Sequence, residues 1–188
     1  MTTAAAVDAA LAAEVDAIGF VFAASVRELS PAAAAALARP ARGRVRCVAV
    51  THHPTQTAVD EIVREFVPDL LQSDVEDFAI LRLPATLGTL AVVRAGGAIP
   101  APLPARILYE GPRSGRGQLS NWSAARALAR ATQLVLAGGL SAANVAVAIA
   151  HVDPFGVDVS SGVEERPGVK SPAAIVDFVA AVRAAGSI

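Results

Sequence analysis

Short, almost wholly apolar runs alternate along this chain with longer stretches whose apolar positions recur at helical spacing. The strand-like runs fall at 17–22, 45–50, 69–72, 90–93, 106–109, 134–136 and 156–159, and the helical stretches at 5–13, 31–38, 56–66, 122–130, 142–150 and 172–185. Short apolar strands separated by helices predict a parallel sheet covered by helices, because both faces of each strand must be buried. Helix starts are marked by Ser30-Pro31, Pro54-Thr55, Ser120, Ser141 and Ser171-Pro172, residues suited to an N-cap or first turn. The Pro- and Gly-rich stretch 96–104 puts a loop where the alternation calls for a helix. No stretch reads as a linker, so residues 1–188 are expected to form one domain.

The two last strands end alike. Leu136-Ala137-Gly138-Gly139-Leu140 and Val157-Asp158-Val159-Ser160-Ser161-Gly162-Val163-Glu164 both pass abruptly from apolar residues into glycine or small hydroxyl residues. Bare backbone N–H groups in such loops can hold a phosphate. In a (β/α)8 TIM barrel, phosphate binds at the loops after the last two strands. A doubly wound sheet would place its phosphate signal after the first strand, and there is no GxGxxG or P-loop pattern here. The expected fold is therefore an α/β TIM barrel.

Composition narrows the function classes. Apolar residues make up 54% and charged residues 18%, with a net charge of −1, which gives no reason to expect nucleic acid or a membrane surface as partner. Residues 131–150 carry no charge, but Gln133, Gly138, Gly139, Ser141 and Asn144 break them into strand, loop and helix rather than a membrane span. The single cysteine, Cys47, excludes an internal disulfide and a cysteine-based metal site. No basic residue precedes Arg27, so the chain's start lacks the charged region of a secretory signal. A cytoplasmic protein is expected, with no metal.

Several motifs together resemble phosphoribosylanthranilate isomerase, the barrel enzyme of tryptophan biosynthesis. Asp16-Ala17-Ile18-Gly19-Phe20-Val21-Phe22 is similar to that family's second strand, and Ser25-Val26-Arg27 with Ser30-Pro31 to the loop after it. Gln72 falls at the end of its fourth strand, and Gly115-Arg116-Gly117 with Asn121-Trp122 resembles the stretch after its sixth. Leu136–Leu140 with Asn144-Val145, then Asp158–Glu164 with Pro167-Gly168 and Lys170, resembles its ending. The resemblance implies an Amadori rearrangement of an aminoaldose ester to an aminoketose without a cofactor. The substrate would be a small phosphosugar, and the protein a monomer or homodimer.

Carried over residue by residue, the resemblance makes Glu110 the general acid, in place of the family's usual aspartate. Arg27 would pair with the anthranilate carboxylate, as suits a planar guanidinium, and Asp158 would lie near the substrate's polar centre. Gly138, Gly139, Ser160, Ser161 and Gly162 would hold the phosphate through backbone amides.

The sequence departs from the family in three places. The family opens with a strand reading Lys-Ile-Cys-Gly-Leu, whose cysteine is the general base, whereas here Met1-Thr2-Thr3 runs straight into the first helix. The first strand is thus expected to be missing from this chain, with a native start placed upstream. The resulting gap is expected to be filled by irregular chain or water, closed by a neighbouring molecule, or left sprung open. Cys47 lies in a different strand, well below the mouth, and reads as an ordinary buried thiol. His52 and His53 read as loop residues, and Asp74 stands in Gln72-Ser73-Asp74 where many relatives have Gln-Leu-His-Gly. The leading expectation is an isomerase impaired by loss of its base. The alternative is a non-catalytic phosphosugar-binding barrel protein. A histidine-pathway isomerase fits less well, because those carry duplicated half-barrels and no such repeat is visible.

Overall fold

A computed structural model of the chain describes residues 1–111 and 120–186. Seven strands form one sheet, every neighbouring pair parallel and in sequence order: β1 (Ala17–Val21), β2 (Arg46–Val50), β3 (Leu70–Asp74), β4 (Gly88–Arg94), β5 (Arg106–Glu110), β6 (Gln133–Leu136) and β7 (Gly156–Val157). The helices are α1 (Ala4–Ala12), α2 (Pro31–Ala38), α3 (Gln56–Glu65), α4 (Trp122–Ala129), α5 (Val145–Val152) and α6 (Pro172–Ala184). The Gly115-Arg116-Gly117 motif lies outside the described residues.

Each helix begins where local chemistry provides a cap. Side-chain oxygens of Thr3, Ser30, Thr55, Asn121 and Ser171 accept from backbone N–H groups of the first turns of α1, α2, α3, α4 and α6. Two expected starts move. Asn121 rather than Ser120 caps α4, and Ser141 opens a turn so that α5 begins only at Val145. Asn144 secures that turn: its Oδ1 accepts from Ser141 N at 2.8 Å and its Nδ2 donates to Gly139 O at 2.9 Å. The stretch 96–104 forms no helix, as its prolines and glycines require.

Strand side chains alternate between two environments. Ile18, Phe20, Cys47, Ala49, Leu71, Val93, Ile107, Tyr109, Leu134 and Leu136 belong to the large core beneath the helices. Leu90, Val92, Leu108 and Ala137 form a second cluster on the sheet's other face, the interior of the curled sheet. The curl brings the loops after the two edge strands together. Arg27, following β1, pairs with Glu164, following β7, and a Cβ at Gly168 would stand 2.6 Å from the Val26 carbonyl. The chain's first residues lie along the same seam: the Met1 amine donates to the Gly19 carbonyl of β1, and Thr2 Oγ1 donates to Gly168 O at 2.6 Å. The architecture is a TIM-barrel-like α/β fold.

One element was absent from the strand pattern. Glu164–Arg166 (β8) and Val169–Lys170 (β9) make a small antiparallel hairpin, turned at Pro167-Gly168 with Gly168 at φ 86°. The left-handed backbone and the 2.6 Å approach to Val26 both call for glycine there.

In the outer core, the buried rings of Phe20 and Phe66 meet edge-to-face at 5.1 Å, Phe22 lies 5.2 Å from Phe66, and Arg42 covers the Phe66 ring at 4.8 Å. Truncation of Phe66 leaves a void that its three neighbours cannot all fill. Phe66→Ala is expected to cost roughly 3–5 kcal/mol, read as a lower urea midpoint with an unchanged denaturant slope.

Candidate active site

Alternation dictates which side chains reach the interior at the carboxyl ends of the strands. Leu90 and Val92 face inward on β4, so Arg94 does; Leu108 faces inward on β5, so Glu110 does. Leu71 faces the helices on β3, which turns Gln72 and Asp74 inward, and Val157 faces the helices on β7, which turns Asp158 inward. Cys47 faces the helices, fully buried, and burial raises its thiol pKa. It is not a mouth residue.

The two loops expected to hold phosphate are in direct contact. Gly138 and Gly139 take left-handed backbone conformations at φ 91° and 67° after β6. Ser161–Val163 forms a single 3-10 turn after β7. A Cβ built on Gly162 would lie 1.9 Å from the Leu140 carbonyl oxygen, so the loops meet backbone to backbone and only glycine fits between them.

A buried ion network fixes the second of these loops. Glu164 accepts from Arg27 Nε at 2.7 Å and Nη2 at 2.8 Å, a bidentate fork, and from Lys170 Nζ at 3.0 Å. Lys170 also donates to Ser160 O at 2.7 Å and Ser160 Oγ at 3.1 Å. Burial alone would raise the Glu164 carboxyl, but the bonds from Arg27 and Lys170 outweigh it and hold the pKa at about 2. Burial lowers Lys170, against the pull of Glu164. Arg27 is thus anchored on Glu164 through Nε and Nη2. Sequence reasoning treated Glu164 and Lys170 as motif letters only.

Asp158 differs from these carboxylates. Its surface is open to solvent, yet protein atoms crowd around it, as on the wall of a deep mouth. No hydrogen bond from its carboxylate is formed among the described residues, and desolvation by that crowding raises its pKa despite the nearby Lys170 charge. The same surroundings pull the Met1 amine down to about 5, desolvation acting first and Lys170 next.

Glu110 lies in a separate network. Arg94 Nη1 donates to Glu110 Oε1, while Arg94 Nε and Nη2 reach Asp74 Oδ1 at 2.8 and 2.7 Å. Asp74 Oδ2 in turn bonds His52 Nδ1, and His53 Nδ1 lies 2.9 Å from Asp77 Oδ1. Asp77 also accepts from Ser73 Oγ at 2.5 Å and His53 N at 3.2 Å. His52 and His53 are loop residues, as expected, and each is bonded to a carboxylate, while Asp74 joins Arg94 and His52 at the mouth. Alternation along Leu90, Val92 and Arg94 was the available signal for Arg94; nothing in the sequence pointed to Asp77.

Two surface depressions of about 610 and 620 Å³, lined respectively by Arg130, Gln133 and Phe155 and by Glu14, Arg44 and Asp69, flank the opposite, amino-terminal ends of the strands. Neither holds any of these groups. We assign the chemistry to the mouth, because the inward-turning polar residues converge there.

Comparison with known proteins decides the family. An N-(5'-phosphoribosyl)anthranilate isomerase of Mesorhizobium japonicum is 36% identical over 197 residues, covering 94% of this chain and 90% of the relative. The chain belongs to the N-(5'-phosphoribosyl)anthranilate isomerase family. The family description "N-(5'phosphoribosyl)anthranilate (PRA) isomerase" matches residues 100–181. Among solved structures, the phosphoribosyl anthranilate isomerase of Thermus thermophilus superposes with a TM-score of 0.85 at 26% identity, covering 98% of this chain and 96% of its own. TrpF of Jonesia denitrificans gives 0.81 at 32% identity, with 98% and 94% covered.

Two outcomes test this description. Gly162→Ala must push its loop off Leu140, so loss of thermal stability and of inorganic phosphate binding is expected, whereas Gly43→Ala, whose added Cβ meets no atom within 4 Å, leaves phosphate binding intact. Glu164 has its folded pKa depressed below the ordinary 4.5, so its stabilising effect is present above pH 4.5 and fades as pH falls toward 2. In Glu164→Gln the acid limb of a stability-versus-pH curve is expected to flatten over that window.

Proposed function

We propose that this chain is built for the isomerisation of N-(5'-phosphoribosyl)anthranilate, an aminoaldose ester, to the corresponding aminoketose by Amadori rearrangement. The observation that carries the reading is the close backbone contact of the loops after β6 and β7 at Gly162 and Leu140, with Arg27 tied into the second loop through Glu164. Amides of Gly138, Gly139, Ser160, Ser161 and Gly162 would bind the phosphate. Arg27 would offer Nη1 to the anthranilate carboxylate while Nε and Nη2 remain on Glu164, so that both ends of the substrate are gripped from one rigid assembly.

Ring opening needs a proton on the ribose ring oxygen. Glu110 is the proposed donor, and Arg94, bonded to it, is placed to pair with the carboxylate left after donation. Asp158, crowded and without a hydrogen bond to its carboxylate among the described residues, would meet the polar centre of the sugar and help to hold the developing charge on the iminium. Removal of the C2 proton then gives an enolamine, which becomes the aminoketose as C1 gains a proton and the C2 hydroxyl loses one. In the family that base is the cysteine of the Lys-Ile-Cys-Gly-Leu strand, and Cys47 faces the wrong side of the sheet to replace it. We propose that a strand of that kind belongs along the seam between β1 and β7, and that the protein works in the cytoplasm as a monomer or homodimer.

A second reading, a phosphosugar-binding barrel without turnover, is favoured by one observation: the sole cysteine in these 188 residues points into the helix layer. Loss of phosphoribosylanthranilate fluorescence, followed for the chain with and without an N-terminal Lys-Ile-Cys-Gly-Leu extension, separates the two. Turnover by the extended form is expected. Tight calorimetric binding of a product analogue with no turnover by the extended form would establish the binding-protein reading instead. In the active form, Glu110→Gln is expected to lower kcat by about 10²–10⁴-fold, while Arg27→Lys raises KM more than it lowers kcat, because the fork is lost and the charge kept.

A further inference from the structure

The His52, His53 and Asp74 side chains at the mouth meet in a way that the isomerase reading does not use. One ligand-capable atom from each lies within 4.8 Å of the other two. Asp74 Oδ2 is bonded to His52 Nδ1 and stands 3.9 Å from His53 Nε2. Two imidazole nitrogens and one carboxylate oxygen form a donor set of the kind that binds zinc and other borderline first-row divalent ions. With bonds of about 2.0–2.1 Å, tetrahedral zinc needs neighbouring ligand atoms roughly 3.3 Å apart. Both imidazoles are more than half exposed, so small side-chain rotations suffice to reach that spacing.

The surroundings divide the labour between ligands and supports. Arg94 takes Asp74 Oδ1 through two nitrogens and leaves Oδ2 on the imidazole side, which sets a monodentate carboxylate. Asp77 bonds His53 Nδ1, so the lone pair of His53 lies on Nε2, the nitrogen turned toward Asp74. A carboxylate orienting a histidine from its far nitrogen is the support found behind many metal-bound imidazoles. Asp77 is itself fixed by Ser73 Oγ and by the backbone N–H of His53, and that backbone sits at φ 47°, a left-handed conformation costly for a non-glycine residue. The loop is thus held in a strained form that keeps both rings together, 4.2 Å between centroids.

We infer that His52 Nδ1, His53 Nε2 and Asp74 Oδ2 form a binding site for one divalent transition-metal ion of the zinc class, with Asp77 as the residue that orients His53. On binding, the ion takes the place of the hydrogen bond between His52 Nδ1 and Asp74 Oδ2, and neutral His52 carries its ring proton on Nε2. The site stands on different residues from the phosphate loops, so its test is independent of isomerase activity.

The full chain would be titrated with Co2+, followed by its visible absorption, and with Zn2+ by calorimetry. One equivalent is expected, with a tetrahedral or five-coordinate cobalt spectrum. His52→Ala and His53→Ala, both on exposed side chains, are expected to abolish that equivalent without changing the far-ultraviolet circular dichroism. Asp77→Asn is expected to weaken it about 10–100-fold. The third histidine, His151, provides the control: His151→Ala is expected to bind as the parent does. Absence of the saturable equivalent, or an equivalent that survives both His52→Ala and His53→Ala or vanishes in His151→Ala, would overturn the site and leave adventitious binding only.

Discussion

The mouth of this barrel depends on one buried carboxylate. Glu164 joins Arg27 from the loop after β1 to Lys170 of the closing hairpin, and thereby links the two edge strands of a sheet whose edges share no backbone ladder. The side chains of Glu164, Arg27 and Lys170 are 5%, 17% and 9% exposed, so their charges have little water to fall back on. In that setting the geometry must be good for the pairing to be worth its desolvation, and removal of one partner leaves an unmatched buried charge. The arrangement meets the requirement with a bidentate fork on one side and an ammonium whose other bonds go to Ser160 on the other. The position of the loop proposed to take phosphate is therefore not independent of Arg27. One network sets the distance between the two groups proposed to grip the ends of the substrate.

The second constraint is steric and acts on the backbone. Parallel strands in sequence order bring the loops after β6 and β7 side by side, but closeness in a sheet does not bring carbonyl and Cα into contact. Gly162 does so by having no side chain, and Gly138 and Gly139 turn the preceding loop through left-handed conformations that L-residues avoid. Sequence reading could recognise these glycines as loop-forming, yet the reason at Gly162 is a neighbour twenty-two residues away, visible only in three dimensions.

That difference explains what was legible. The seven parallel strands and six helices follow from apolar periodicity and capping residues, local signals that tertiary packing reinforces. The hairpin of β8 and β9 escaped because Glu164-Glu165-Arg166 carries no apolar alternation; it exists through Gly168 and the ion network rather than through strand propensity. The shift of α5 from 142 to Val145 came from Asn144, whose side chain closes a turn instead of capping a helix. Glu110, Arg27 and Asp158 were legible as inward or loop residues at strand ends, but their partners were not. Arg94, Asp74 and Asp77 meet only because β2, β3, β4 and β5 are neighbours in the sheet, and each is an ordinary charged residue in sequence.

The partners divide the mouth into two electrostatic halves. On the side of β1 and β7, the loops proposed to take phosphate stand beside a carboxylate already matched by two cations, Arg27 and Lys170. On the side of β2 to β5, among the described residues, Asp74, Asp77 and Glu110 bond to Arg94, His52 and His53. The isomerase reading draws on both sides, the loops after β6 and β7 with Arg27 on one and Glu110 on the other, and the metal site shares the second side with Glu110. A divalent ion on Asp74 Oδ2 would act on Glu110 through Arg94, which bonds both carboxylates, the physical link through which the two sites would influence each other.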